Sequence, residues 1–255
     1  MLGPLTKHTR LAASYGYCES DEETKRALVE DAAGRWDAFY TASERNFFKD
    51  RHWLCREFPV LRREGLLLCE LGCGVGNSTF PLLEENPTLR VYCSDFSAAA
   101  VQLLRAHPRC DPARVLGCAV ADCADEEAVA AAVPEPCDTV LLVFVLSAMP
   151  PAAMPRVAAA ARRVLRPGGV ALVRDYGEGD ACQRRFEETP SSRRLQEQLF
   201  CRGDGTQAYF FSLAALRRLW EEAGFEVLQC EERVTQPAAG GHLRRFVQGQ
   251  FQRPL

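Results

Sequence analysis

A glycine-rich segment, ELGCGVGN at residues 70–77, is the strongest candidate for a binding site in this sequence. Gly72, Gly74 and Gly76 follow an apolar run and precede a helical pattern, so the backbone could approach a ligand closely there. The spacing lacks the GK[ST] ending of a phosphate loop, and no nearby cluster of cations would receive a pyrophosphate. Glu70 before the loop favours a cationic ligand. The alternative is a tight glycine turn that binds nothing.

Two acidic residues stand where the next two apolar runs end. They are Asp95, in YCSDFS, and Asp122, in VADC, which Cys123 follows. The first carboxylate could accept both hydroxyls of a ribose, and the second could bind an adenine amino group. The alternatives are that Asp95 only caps the helix beginning near Ser97 and that Asp122 is an acid at a helix start. A glycine loop, a ribose acid and an adenine acid in this order predict a site for S-adenosylmethionine.

A third polar group, RDYG at residues 174–177, ends the fifth apolar run. We predict Arg174, Asp175 and Tyr176 to be the catalytic group, because they lie where a methyl acceptor would enter. Tyr176 could stack on a base, Arg174 could hold a phosphate or a base carbonyl, and Asp175 could stabilise charge on the base. The alternative is a solvated strand end with an internal Arg–Asp pair. The fourth run ends in FVLSAMP and lacks the Asn/Asp-Pro-Pro-aromatic motif of amino-directed DNA methyltransferases.

The elements that must position these residues alternate between strand and helix patterns from residue 66 onward. Strands are predicted at 66–71, 90–95, 115–122, 137–146, 168–176, 225–235 and 242–252. Helices are predicted through about residue 85 and at 97–107, 125–133, 154–165 and 212–225. This alternation indicates βαβ units. The predicted fold is the α/β class I (Rossmann-like) methyltransferase sheet of seven strands, mostly parallel, with an antiparallel C-terminal strand.

Composition excludes several classes of protein. The chain of 255 residues is 47% hydrophobic and 25% charged, which is typical of a globular protein. No apolar run approaches the roughly 20 residues of a membrane span. The 12 cysteines include no CxxC pair, and several lie in apparent strands, which indicates a reducing compartment and no metal site. The net charge of −3 gives no polyanion-binding field, so RNA would have to be bound by local patches.

Several segments together resemble the methyltransferase-like family that makes 3-methylcytidine in tRNA. They are WDAFY (36–40), NFFKDRHW (46–53), REF (56–58), ELGCGVGNSTFPLL (70–83), LLVFVLSA (141–148), LRPGG (165–169), RDYG (174–177), RGDGTQAYFF (202–211) and QGQFQRPL (248–255). The resemblance implies S-adenosylmethionine as cofactor and cytidine 32 of the tRNA anticodon loop as acceptor. It also implies cofactor contacts from Trp36, Tyr40, Gly72, Asp95, Asp122, Cys123 and Val143.

The segment before the glycine loop shows no strand pattern. Residues 21–40 have helical spacing, and NFFKDRHW mixes three large rings with cationic side chains. We predict residues 1–60 to form a helical cover over the cofactor and tRNA site, and 61–255 to form the methyltransferase domain with an insertion at about 177–210. The candidate tRNA contacts in the cover are Lys49, Arg51, His52 and Arg56. The alternative is that this stretch only packs structurally.

Relatives in that family differ in tRNA choice, in location and in their need for a partner such as an aminoacyl-tRNA synthetase. We expect a monomer that binds the anticodon stem-loop, no membrane contact, and a cytoplasmic or nuclear location. The first 18 residues lack acids and carry Lys7 and Arg10, which leaves a mitochondrial presequence as an alternative. Two other function classes also stay open: a methyltransferase acting on a protein or small molecule, and an RNA-binding adaptor with a degenerate cofactor site.

Overall fold

A seven-stranded sheet forms the centre of the computed structural model, which describes residues 26–27, 31–43, 47–188, 194–236 and 242–255. The strands are β1 (Leu67–Leu71), β2 (Arg90–Asp95), β3 (Val115–Val120), β4 (Cys137–Val143), β5 (Leu165–Tyr176), β9 (Glu226–Thr235) and β10 (Arg244–Gln252). Their order in the sheet is β3-β2-β1-β4-β5-β10-β9. Strands β1 to β5 pair in parallel, whereas β10 runs antiparallel to both of its neighbours. The predicted class I fold is confirmed.

Helices cover the sheet and connect its strands. They are α1 (Ala32–Ser43), α2 (Leu54–Glu57), α3 (Thr79–Glu85), α4 (Ala98–Arg105), α5 (Glu126–Ala132), α6 (Met154–Val164), α7 (Ala181–Glu187) and α8 (Leu213–Glu222). In the described part of the chain, no helix is both long and apolar enough to span a membrane. Strand β4 ends three residues before the predicted position, because Phe144 takes a left-handed conformation (φ 60°) that turns the chain away from the sheet.

Hydrophobic clusters lie on both faces of the sheet, and consecutive residues of β1 contribute to opposite ones. Leu67 and Cys69 belong to one cluster, whereas Leu66 and Leu68 belong to the other. A strand that is covered on both faces has to be apolar throughout, which is why the run before the glycine loop is continuous. The second cluster also includes Leu54, Cys55, Phe58 and Leu61, all completely buried. Residues just before 60 therefore pack in the core of the sheet, and the division of the chain at residue 60 stays a prediction.

The predicted insertion at about 177–210 contains regular structure among its described residues. It contains α7 and a three-stranded antiparallel sheet of β6 (Arg194–Gln196), β7 (Leu199–Cys201) and β8 (Gln207–Tyr209). Phe200 and Phe210 form its buried core and pack against Tyr176 at the end of β5. Strands of three residues are too short to show an alternating pattern, which is why no strand was predicted in this segment. The small sheet thus lies beside the carboxyl end of β5.

Helix α1 docks onto the sheet domain through one carboxylate. Asp37 Oδ1 accepts hydrogen bonds from Ser97 Oγ (2.8 Å) and from the Ala99 amide (3.0 Å), at the start of α4. These bonds lower the pKa of Asp37 below its ordinary value. Trp36 and Tyr40 of the same helix then lie over the glycine loop. Residues 1–18 and most of the predicted helix before residue 31 lie outside the described residues.

Candidate active site

Two adjoining cavities open at the carboxyl ends of β1, β2, β4 and β5, the edge at which open α/β sheets bind ligands. The first cavity has a volume of about 290 Å³ and the second about 320 Å³. They share one wall, formed by Trp36, Tyr40, Gly72, Phe144 and Ala148. A ligand in one cavity can therefore touch a ligand in the other.

The glycine loop forms the floor between the cavities. Gly72 and Gly74 take positive φ angles of 70° and 53°, which only glycine adopts without strain. A Cβ on Gly74 would lie 2.6 Å from the Tyr40 hydroxyl oxygen, so the close approach of α1 also requires glycine. Gly76 has another role, because a Cβ there would lie 2.3 Å from the Phe80 ring. Gly72 and Gly74 thus permit the turn, and Gly74 also permits the close approach of α1. Gly76 leaves room for the packing of α3.

Asp95 connects the glycine loop with the start of α4. Its Oδ2 accepts the Gly74 amide at 2.8 Å, and its Oδ1 accepts the Ser97 amide at 2.9 Å. The cap of α4 is Ser97, whose Oγ accepts the Ala100 amide, so the alternative that Asp95 only caps this helix is wrong. Burial raises the pKa of Asp95 to about 6, against the hydrogen bonds that lower it. Asp95 lines the first cavity as an ionisable acceptor.

Asp122 and Cys123 line the same cavity on the side of β3. Asp122 is exposed, and its Oδ1 accepts the Ala124 amide at 2.8 Å. The cap of α5 is Asp125, so Asp122 lies in the turn before that helix. Two carboxylates and the Trp36 ring in one cavity fit a nucleoside, since carboxylates accept from hydroxyl and amino groups and rings stack on a base.

Glu70, directly before the loop, is buried behind it. Its Oε2 accepts the Thr79 hydroxyl at 2.5 Å, and its Oε1 has no hydrogen-bond partner among the described residues. Burial raises the pKa of Glu70. Glu70 lines neither cavity, so the expectation that it favours a cationic ligand stays a prediction. No group of His, Cys, Asp and Glu within the described ranges is arranged to hold a metal ion.

The predicted catalytic group divides into one cavity residue and two buried residues. Tyr176 lines the second cavity. Asp175 is 1% exposed and lines neither cavity; its carboxylate accepts the amides of Ser147 and Tyr176, each at 2.9 Å. Burial raises the pKa of Asp175 to about 6. Asp175 therefore fixes the turn after β4 to the end of β5 and does not face the entrance.

Arg174 also differs from its predicted placement at the substrate entrance. Its guanidinium lies over the Trp53 ring at 4.3 Å, bonds Gln248 Oε1 at 3.0 Å and faces Glu57 at 3.6 Å. The side chain is almost completely buried, which lowers its pKa to about 10. The strand end is therefore not solvated, and no internal Arg–Asp pair forms, because Arg174 pairs with Glu57 from α2. A role for Arg174 in holding a phosphate stays a prediction that this placement does not favour.

The four predicted tRNA contacts face different surroundings. Lys49, His52 and Arg56 are exposed, and Arg56 pairs with Glu57 at 3.1 Å. Arg51 instead lines the second cavity, where its Nη1 donates to Ser78 Oγ at 2.6 Å. Three cations are thus at the surface and one is at the glycine loop.

Sequence reasoning missed Phe144, Arg202 and Arg244, all of which line the second cavity. Phe144 directly follows Val143, one of the predicted cofactor contacts, which lines the second cavity. An aromatic residue at the carboxyl end of β4 is a signal that could have indicated Phe144. The two arginines come from the insertion and from β10, and only the tertiary fold brings them to this site.

Replacement of Gly74 by alanine should abolish binding of S-adenosylmethionine, because the new Cβ would push Tyr40 out of the shared wall. Gly65→Ala is the matched control, since Gly65 has a φ of 67° but nothing within 4 Å of its added Cβ. Both variants should lose about 1 kcal/mol of stability from backbone strain. Isothermal titration calorimetry with the cofactor separates them, and equal affinity in the two variants would contradict the role given to Gly74.

Cofactor affinity should fall as the pH drops through about 6, the raised pKa of Asp95. Above that pH the carboxylate is ionised and can accept ribose hydroxyls; below it, protonation removes acceptor capacity, with up to about tenfold weaker binding per pH unit. Calorimetry from about pH 5 to about pH 8 measures this effect. Asp95→Asn should bind weakly with no such pH dependence, and an equal slope in that variant would rule Asp95 out.

Comparison with known proteins agrees with this geometry. The family model for a methyltransferase domain matches residues 42–230. The tRNA N(3)-cytidine methyltransferase METTL6 of Mus musculus is 40% identical over 242 residues, covering 90% of this chain and 84% of its own length. METTL2 of Danio rerio, which carries the same enzyme name, is 39% identical over 232 residues, covering 76% of this chain and 65% of its own length.

Solved structures show the same fold at low sequence identity. A SAM-dependent methyltransferase from Anabaena variabilis has a TM-score of 0.65 at 16% identity and covers 87% of this chain and 94% of its own. A putative methyltransferase of Haloferax volcanii, solved in complex with the activator Trm112, has a TM-score of 0.59 at 19% identity over 89% of this chain and 98% of its own. The cofactor of methyltransferases with this fold is S-adenosylmethionine, and the acids and rings of the first cavity fit its nucleoside. The likeness to METTL6 and METTL2 extends beyond the shared fold, and the chain belongs to the tRNA N(3)-cytidine methyltransferase family.

Proposed function

We propose that the chain transfers a methyl group from S-adenosylmethionine to N3 of cytidine in tRNA, giving 3-methylcytidine. The acceptor position implied by the family resemblance is cytidine 32 of the anticodon loop. The observation that carries the proposal is the pair of cavities with a shared wall. The first is lined by carboxylates that suit a nucleoside, and the second, at the end of β5, is lined by aromatic rings and cations that suit a nucleotide.

The first cavity would hold the adenosine part of the cofactor. Asp95 would accept the ribose hydroxyls, and Asp122 with the backbone near Cys123 would bind the adenine. The remainder would be enclosed by Trp36, Tyr40 and Gly72 in the shared wall, together with Gly74 and Val143, which line the second cavity. When bound, S-adenosylmethionine supplies an electrophilic methyl group on a sulfonium. Gly76 supports this site through the packing of α3.

The second cavity would hold the acceptor base. N3 of cytosine keeps its lone pair at neutral pH, so no residue has to remove a proton from it, and the task is mainly orientation. Because N3 lies on the Watson–Crick edge, the base must leave its stack, as it can in a loop. Phe144 and Tyr176, whose ring centroids lie 5.0 Å apart, would guide the base toward the shared wall.

Asp175 would act from behind this wall. Methyl transfer leaves positive charge on the base, and an ionised carboxylate in a buried position stabilises such charge more than one in water. The carboxylate also holds Ser147, and with it the turn that carries Phe144 and Ala148. We therefore assign Asp175 an electrostatic and positioning role, and Tyr176 the direct contact.

The anticodon stem-loop would reach the second cavity from outside, past the cover. The exposed Lys49, His52 and Arg56 could meet its phosphates, whereas Arg51 is placed for the cofactor or the base. A protein partner such as an aminoacyl-tRNA synthetase could add affinity, since the chain as a whole carries a net charge of −3. The monomeric state and the cytoplasmic or nuclear location remain expectations.

The proposal is tested by incubating the protein with unmodified tRNA and S-adenosylmethionine, followed by nucleoside mass spectrometry. The expected product is 3-methylcytidine, mapped to position 32 by digestion into oligonucleotides. Parallel incubation of a protein extract with labelled cofactor tests the alternative substrate class. Label in protein with none in tRNA would contradict the proposal, and absence of cofactor binding would favour the adaptor alternative.

Asp175→Asn should lower kcat by about 100-fold, as removal of one electrostatic group in an active site does, and should leave the cofactor dissociation constant nearly unchanged. Ser147→Ala is a milder control, because it keeps the backbone amide that bonds Asp175. Single-turnover experiments measure the rate of methyl transfer in both variants, and calorimetry measures their dissociation constants for the cofactor. Normal turnover of the Asp175 variant would remove this residue from the mechanism.

A further inference from the structure

A group of aromatic rings in and beside the second cavity has a guanidinium fixed next to it. The Tyr176 ring lies 5.0 Å from that of Phe144 and 6.3 Å from that of Phe246, between ring centroids. The guanidinium carbon of Arg244 lies 5.2 Å from the Phe246 centroid and 5.9 Å from that of Tyr176. These distances are typical of cation–π contacts, which order an arginine against a ring.

A buried carboxylate holds this guanidinium in place. Asp180, at the start of α7, is completely buried, and its Oδ2 accepts Arg244 Nε and the Arg245 amide, each at 2.8 Å. Its other oxygen accepts the Cys182 amide at 2.8 Å. Asp180 thereby ties the insertion to β10. A guanidinium that is bonded through Nε and flanked by rings has little freedom to leave the cavity.

The remaining donors of Arg244 are available to a ligand. Its side chain is 33% exposed and lines the second cavity. Neither Nη1 nor Nη2 donates a hydrogen bond to any residue that the structure describes. Both terminal nitrogens can therefore donate to one anion, the bidentate geometry in which arginine binds a phosphate.

The charge of the second cavity supports an anionic ligand group. Arg51, Arg202 and Arg244 line it against one carboxylate, Asp204, whose Oδ1 already accepts the amide and hydroxyl of Thr206. Arg51 is bonded to Ser78 Oγ, and Arg202 to Thr206 and to the Gln207 carbonyl. The first cavity has the opposite balance, with Asp95 and Asp122 against Arg156. The second cavity is thus the cationic one.

We propose that Arg244 binds a backbone phosphate of the target nucleotide while the rings of Tyr176 and Phe144 hold its base, and that Asp180 is the positioning residue for Arg244. The proposal rests on the proposed function, because a tRNA nucleotide is the ligand that needs both a stacking surface and a phosphate contact. Contacts with the base would decide which nucleotide is methylated, and the Arg244 contact would set how far that nucleotide enters the second cavity.

The test compares Arg244→Ala with Arg245→Ala. Arg245 is next in β10 and its side chain points to the other face of the strand, where it pairs with Glu232 at 2.8 Å. Loss of the phosphate contact should raise the KM for tRNA about tenfold or more and reduce the salt slope of tRNA binding by about one. Arg245→Ala should match the wild type in both, and cofactor affinity by calorimetry should be unchanged in all three proteins.

Asp180→Asn tests the positioning role, since it keeps an oxygen acceptor and removes the charge. It should raise the KM for tRNA several-fold with cofactor affinity intact, and Arg244→Lys should recover part of the binding lost in the alanine variant. An unchanged KM and salt slope in Arg244→Ala would overturn the proposal. Equal loss of cofactor and tRNA binding would also overturn it, by showing that the residue only supports the fold.

These outcomes are separate from failure of the proposed function. If the wild-type protein forms no 3-methylcytidine, that function fails. The same variants can then be compared in filter-binding titrations with an anticodon stem-loop RNA. A wild-type salt slope in Arg244→Ala would still reject the phosphate contact.

Discussion

The site depends on one buried carboxylate that joins three parts of the chain. Asp95 accepts the amides of Gly74 and Ser97, and the Ser97 hydroxyl donates to Asp37 of α1. The glycine loop, the start of α4 and the covering helix are therefore held in one hydrogen-bond chain. Burying a carboxylate is costly unless its oxygens are satisfied, and here the cost is offset by amides that the loop and helix must otherwise leave unpaired. The same arrangement keeps Asp95 beside the first cavity, where a ligand hydroxyl can share it.

The two cavities are lined by opposite charges, which distinguishes the ligand that each of them suits. Carboxylates line the first cavity and guanidinium groups the second, while Phe144, Tyr40 and Trp36 stand in the wall between them. Phe144 has a positive φ, a conformation that costs a large residue about 1 kcal/mol or more and tends to occur at functional sites. Its strained turn is held by Asp175 through Ser147. Two buried acids thus support the site from behind. Asp175 orders the shared wall, and Asp180 orders Arg244 in the second cavity.

Local patterns were enough to predict the seven strands of the main sheet, the helices that connect β1 to β5, and α8. Each of these elements follows from periodicity or from a turn that glycine permits. Asp95 is the last residue of β2 and Asp122 is the first polar residue after β3, so both were found at strand ends. The partners of those residues were not predictable in the same way. Asp37 meets Ser97 across 60 positions, and Asp180 meets Arg244 across 64. Such pairs leave no local pattern. Arg174 shows the converse error, because it was expected at the substrate entrance and instead packs between Trp53 and Phe246.

A crystal structure of the protein with S-adenosylhomocysteine and a tRNA anticodon stem-loop tests the central claim most directly. The two-cavity account predicts the nucleoside of the cofactor product between Asp95, Asp122 and Trp36, with a cytosine in the second cavity against Tyr176 and Phe144. The cytosine N3 should face the cofactor sulfur across the shared wall. A cytosine bound outside the second cavity, or a cofactor that occupies both cavities and leaves no room for a base, would contradict it.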